Sequence, residues 1–93
     1  MKATVEFRHL AMEINETFTG NDADEIVGAM KSRVAKNSPF ALRLLIGGMS
    51  KAKFTQEVVT RYNDYANKTL TMPNSSEEFL ELMQREGIAK IAL

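Results

Sequence analysis

Near the start of the chain, Val5 and Phe7, then Met12 and Ile14, alternate with polar neighbours. That two-residue period is the mark of a half-buried strand. Pairing Phe7 with Met12 and Val5 with Ile14 predicts a hairpin reversing through a four-residue loop, Arg8 to Ala11. Neither His9 nor Leu10 suits the positive φ of a tighter turn. The second strand is expected to run to Phe18, where Thr19-Gly20 breaks it.

The period then changes. Ala23, Ile26, Val27, Met30 and Val34 fall on one side of a helix over 22–36, opened by a capping box of Asp22 and Glu25, with Asn21 as a competing cap. Asn37-Ser38-Pro39 ends it and begins a short helix, about 39–47, because proline at the first helical position loses no hydrogen bond. This helix is apolar nearly all round. Phe40 and Leu44 share one side, Leu42 and Ile46 face away from them, and Leu45 lies between. Gly47-Gly48 stops it.

Ser50 caps a third helix, about 51–67, with the stripe Phe54, Val58, Tyr62 and Tyr65; Lys53, Gln56, Glu57, Thr60, Asn63 and Asp64 are expected outward. A loop from Lys68 to Asn74 contains Pro73. Ser75 with Glu78 forms a second capping box, and Phe79, Leu80, Leu82 and Met83 are the buried residues of the helix it opens. Gly87 ends that helix, and 88–93 reads as a last strand with Ala89, Ile91 and Leu93 on one face.

The order β-β-α-α-α-α-β predicts an α+β fold in a single domain, residues 1–93. A two-stranded hairpin is marginal alone. The last strand is therefore expected to join it in a three-stranded, antiparallel-type sheet with helices packed on one face. The expected core is Val5, Phe7, Ile14, Ile26, Met30, Val34, Phe40, Leu44, Phe54, Val58, Phe79 and Met83.

Composition narrows the function classes. Apolar residues at 44% and charged residues at 26% are those of a folded domain. Without cysteine there is no thiolate nucleophile or cysteine zinc site, which favours a reducing, cytoplasmic setting. No signal-like or membrane-spanning stretch is expected, and the three Asn-x-Ser/Thr sequons are read as chance.

Charge is neutral overall but unevenly spread. Residues 1–30 carry 2 basic and 6 acidic side chains, residues 31–61 carry 7 and 1, and residues 62–93 carry 3 and 5. The resulting sums are −4, +6 and −2.

Candidate chemistry is sparse. His9 is the only histidine and has no partner at motif-like spacing. Asp22, Asp24 and Glu25 start like a calcium loop, but Ile26 and Val27 stand where a ligand and a glycine are needed, and helix capping accounts for the carboxylates. Gly47-Gly48-Met49-Ser50-Lys51 precedes a helix N-terminus and resembles an anion cradle, without the spacing of a phosphate-binding loop. No catalytic set, metal site or cofactor is expected.

Three readings follow. The leading one is a non-enzymatic protein-interaction module that binds a partner protein, or a second copy of itself, through Leu42, Arg43, Ile46 and Met49. The second is nucleic-acid binding by the basic segment 31–61 through Lys31, Arg33, Lys36, Arg43 and Lys51. Against it, the outward face of the 51–67 helix sums to −1. The third is a small metabolite or anion binder.

Overall fold

A computed structural model describes residues 1–6, 15–36 and 45–92. It contains strands β1 (Lys2–Glu6), β2 (Asn15–Thr19) and β3 (Ala89–Ala92), and helices α1 (Ala23–Lys36), α2 (Lys51–Ala66) and α3 (Ser76–Arg85). The sheet is antiparallel with order β2-β1-β3, so the α+β architecture is as expected. Of the expected helix over 39–47, only the last turn lies within the described residues, where 45–47 is helical.

The strand registers differ from the expected hairpin. Val5 lies opposite Glu16 and Ala3 opposite Phe18, a slip of two residues from the pairing of Val5 with Ile14. A two-residue slip keeps every side chain on its face, so the alternation pattern alone does not discriminate between the two registers. Packing does. The observed register sets the bulky Phe18 beside small Ala3 on the central strand, and both are buried. It also lets Glu16, next to the core, pair with Arg33 of α1. The strand continues through Thr19, and Gly20 still donates to the Met1 carbonyl at 3.1 Å. Phe7, Met12 and the expected loop from Arg8 to Ala11 lie outside the described residues.

One face of the sheet is apolar and covered, with Ala3, Val5, Phe18 and Ala89 buried. The other carries exposed Lys2, Thr4, Thr17, Thr19 and Lys90. The helices supply the rest of the core, including Ile26, Met30, Val34, Phe54, Val58, Phe79 and Met83, all buried as expected. Phe7, Ile14, Phe40 and Leu44 of the expected core fall outside the described residues.

The caps follow the sequence closely. Asp22 Oδ1 accepts from Glu25 N at 2.9 Å, Ser50 Oγ from Lys53 N at 3.1 Å, and Ser75 Oγ from Glu78 N at 3.1 Å. Each satisfies one of the amide groups that a helix start leaves open. Gly87, with φ +77°, closes α3 by a Schellman motif: Ile88 N donates to Met83 O and Gly87 N to Gln84 O.

In α2 the buried face lies to one side of the expected stripe. Phe54 and Val58 are inside, but so are Thr55 and Val59, while Tyr65 is 53% exposed. The inner face is centred between the 54/58 row and the 55/59/62/66 row, so Ala66 turns inward in the last turn and Tyr65 turns out. Asn63, expected outward, is half-buried because its amide clamps the next loop. Its Nδ2 donates to Leu70 O and its Oδ1 accepts from Leu70 N.

Candidate functional site

The expected interface surrounds the turn between residues 45 and 50, and there the structure corrects one of its members. Ile46, expected to point away from the core, is buried at 5% exposure and belongs to it. Leu45 is the residue left in water, 60% exposed. Residues 45 and 46 are both helical and stand 100° apart, so with Ile46 turned into the core Leu45 turns outward. Met49 is half-buried against the core. Leu42 and Arg43 lie outside the described residues.

This turn is held from below. Met49 N donates to Ile46 O at 3.1 Å. Lys31 of α1 donates its ammonium to Met49 O at 2.7 Å and to Gly47 O at 3.3 Å. A shallow hollow lined by Lys31, Ser32, Ala35, Lys36 and Gly47 adjoins it.

Among the described residues of the expected basic patch, Lys31, Arg33 and Lys51 each reach a different partner. Positions 31 and 33 differ by 200° on a helix. Accordingly Lys31 reaches the 47–49 turn while Arg33 reaches Glu16 on β2. Lys51 turns to a third site, where its Nζ is 3.5 Å from Asp24 Oδ2. Its stem passes over Gly28, where a side chain would come within 3.2 Å of Lys51 Cε. Lys36 is exposed at the end of α1, and Arg43 lies outside the described residues.

The expected anion cradle thus has its cation and its cap occupied by the protein itself. Lys51 is engaged with Asp24, and Ser50 already holds an N-terminal amide of α2. Around Asp24 the starts of the three helices meet in a cleft lined by Asp22, Asp24, Lys51, Thr55, Ser75 and Ser76. Ser76 Oγ donates to Asp24 Oδ1 at 2.6 Å. This hydrogen bond, and then the charge of Lys51, lower the Asp24 carboxyl below its ordinary value. Each of the three carboxylates read as a calcium-loop start has a partner within the protein: Asp22 caps, Glu25 accepts from Asn21 N, and Asp24 ties α1 to α2 and α3.

The Asp24 arrangement has a pH signature. A carboxyl whose folded pKa is depressed adds stability above its unfolded pKa and loses it as pH falls through the folded value. Asp24→Asn should therefore lower Tm at pH 7, and the difference from the parent should shrink steadily below about pH 4. Thermal melts at pH 7 and pH 2.5 measure this. An equal difference at both pH values would show that ionisation is irrelevant there.

Sequence reasoning missed a second cluster. Tyr62 donates its hydroxyl to Glu86 Oε1 at 3.0 Å, and Lys68 pairs with the same carboxylate while its ammonium sits 5.8 Å from the Tyr62 ring centre. Burial, then the hydrogen bond to Glu86, push the Tyr62 hydroxyl pKa up; the Lys68 contact holds the Glu86 carboxyl down. The cluster fastens the end of α2 to the end of α3. Its members are separated by up to 24 positions, so no local spacing announces them.

His9 lies outside the described residues. Among the described residues, no group of His, Cys, Asp and Glu is arranged to hold a metal ion, and no helix is long and apolar enough to cross a membrane. Comparison with protein-family models, curated proteins and solved structures gives no match for this chain.

Proposed function

We propose that this chain is a small, non-enzymatic protein-interaction module, a regulator or a subunit of a larger assembly, that docks a partner protein on the surface around Leu45 and Met49. The observation that carries this reading is Leu45 itself. A large apolar side chain is held in water on a turn that Ile46 roots in the core and that Lys31 locks through two carbonyls. A pre-ordered anchor of this kind loses little conformational freedom on binding, which raises affinity for a given contact area. A cytoplasmic setting suits a chain without cysteine.

The nucleic-acid reading draws less support. Phosphate binding draws on cations that exchange counterions for phosphates. Arg33 and Lys51 are already paired with carboxylates, and Lys31 with carbonyl oxygens.

The test places a photo-crosslinking benzoylphenylalanine at position 45. The expected result is a discrete adduct with a protein partner, suppressed by excess unlabelled wild-type chain but not by the Leu45→Asp chain. Because Leu45 is largely exposed, Leu45→Asp should leave Tm within a few degrees of the parent. An adduct equally suppressed by both competitors, or no specific adduct, would sink the proposal.

A further inference from the structure

The alternation of hydrogen bonds along the sheet determines which way the backbone points at its two edges. Gly20 donates to Met1 O. In an antiparallel ladder, bonded and non-bonded pairs alternate. Ala3 with Phe18 and Val5 with Glu16 are therefore bonded pairs in the same register, and Asn15, Thr17 and Thr19 turn their N–H and C=O groups away from β1. The close approach of side chains in a non-bonded pair is visible at Thr4 and Thr17, whose hydroxyls are 3.0 Å apart. By the same parity, Ala89 and Ile91 point outward on β3.

The two edges are finished differently. On β3, Gln84 of α3 reaches over and accepts the outward Ile91 N–H at 2.9 Å, and the short strand also carries Lys90. A side chain that takes up an edge amide, together with an edge lysine, discourages further strand pairing. The β2 sequence, Asn-Glu-Thr-Phe-Thr, has neither lysine nor proline. Among the described residues, no side chain takes up the outward amides of Thr17 and Thr19.

We propose that the outer edge of β2 is a self-association surface, on which a second copy of this chain adds its own β2 antiparallel about a two-fold axis through Thr17. The strand is self-complementary in that register. Thr17 faces its counterpart, Asn15 faces Thr19, and Glu16 faces Phe18, so the outward groups of all three outward-facing residues pair at once and no like charges stand opposite. Centring the axis on Glu16 would oppose two carboxylates, and centring it on Phe18 would leave Asn15 without a facing residue in the second strand. On the open face, the Thr4–Thr17 hydroxyl pair would continue across the axis into its copy, joining two three-stranded sheets into one. This surface is separate from Leu45 and does not rest on the function proposed above.

Amide hydrogen exchange, read by NMR at micromolar and at millimolar protein, tests it directly. At the low concentration, Thr17 and Thr19 should exchange like amides open to water. At the high concentration, both should slow by about tenfold or more as the sedimenting mass doubles. Thr17→Pro removes an N–H that β1 does not use, so it should hold the mass at one chain throughout. If the proline ring strains the strand, the exchange pattern of the unaltered chain decides alone. Open exchange at both residues at millimolar protein would overturn the proposal. So would a dimer that protects other amides instead and dissociates on Leu45→Asp.

Discussion

Phe54→Ala should lower the free energy of unfolding by about 3–5 kcal/mol, a loss large enough to threaten the fold as a whole. Phe54 is fully buried where α2 meets the rest of the core, among the largest side chains with no exposed surface. Truncation removes the transfer free energy of the ring and leaves a cavity that the surrounding core side chains fill only in part. A domain of this size has a stability of about 5–14 kcal/mol, so the variant stands near the edge of folding. Urea unfolding followed by circular dichroism measures it: the midpoint should fall sharply with the slope unchanged. Tyr65→Ala, on the same helix, is the control. With its ring half in water it should cost no more than about 1 kcal/mol. Equal costs at the two positions would refute the placement of the α2 inner face.

Gly20→Ala should cost about 1–3 kcal/mol, although it adds a single methyl group to a turn. A Cβ at this position would lie 2.8 Å from Glu25 Cβ and 3.3 Å from the Ile26 amide nitrogen. Neither atom is the free end of a flexible side chain, so the β2–α1 connection would have to open. That opening would pull on the Asp22 cap and on the bond from Gly20 N to Met1 O. Gly47→Ala makes the useful contrast, since a methyl there meets nothing within 4 Å. Parallel denaturant titrations of the two variants compare them. A smaller loss for Gly20→Ala than for Gly47→Ala would contradict the close approach.

Gly20 also marks the boundary between what could and could not be read ahead of the structure. In sequence it is a strand breaker, and it is one. Its contact with the first turn of α1 depends on where β2 ends in space, which no local pattern encodes. The same division runs through the fold. Helix limits, three N-caps and the Gly87 stop were legible because each depends on residues within one turn of one another. The strand register was not, because a slip of two residues preserves the alternation, and tertiary contacts, Phe18 against Ala3 and Glu16 with Arg33, separate the alternatives. At the candidate interface, periodicity identified a segment apolar nearly all round but not which of Leu45 and Ile46 the core would claim. The basic segment looked continuous along the chain, yet Lys31, Arg33 and Lys51 each answer to a different acceptor, brought near by packing between elements distant in sequence.

The position of β1 has a consequence for the order of events during synthesis. It is the central strand, yet its two neighbours come from very different places: β2 begins at Asn15, while β3 begins only at Ala89. At translation rates of roughly 5–20 residues per second, β1 waits several seconds with one side unpaired. During that interval the nascent chain presents the backbone of Lys2 and Thr4, which later bonds to Ala92 and Lys90, as an open strand edge. The hairpin and α1 can form early, but the sheet closes only when α3 delivers β3 through the Gly87 turn. Until residues 89–92 arrive, that side of β1 is an unpaired strand edge, the kind of edge most open to pairing with another chain.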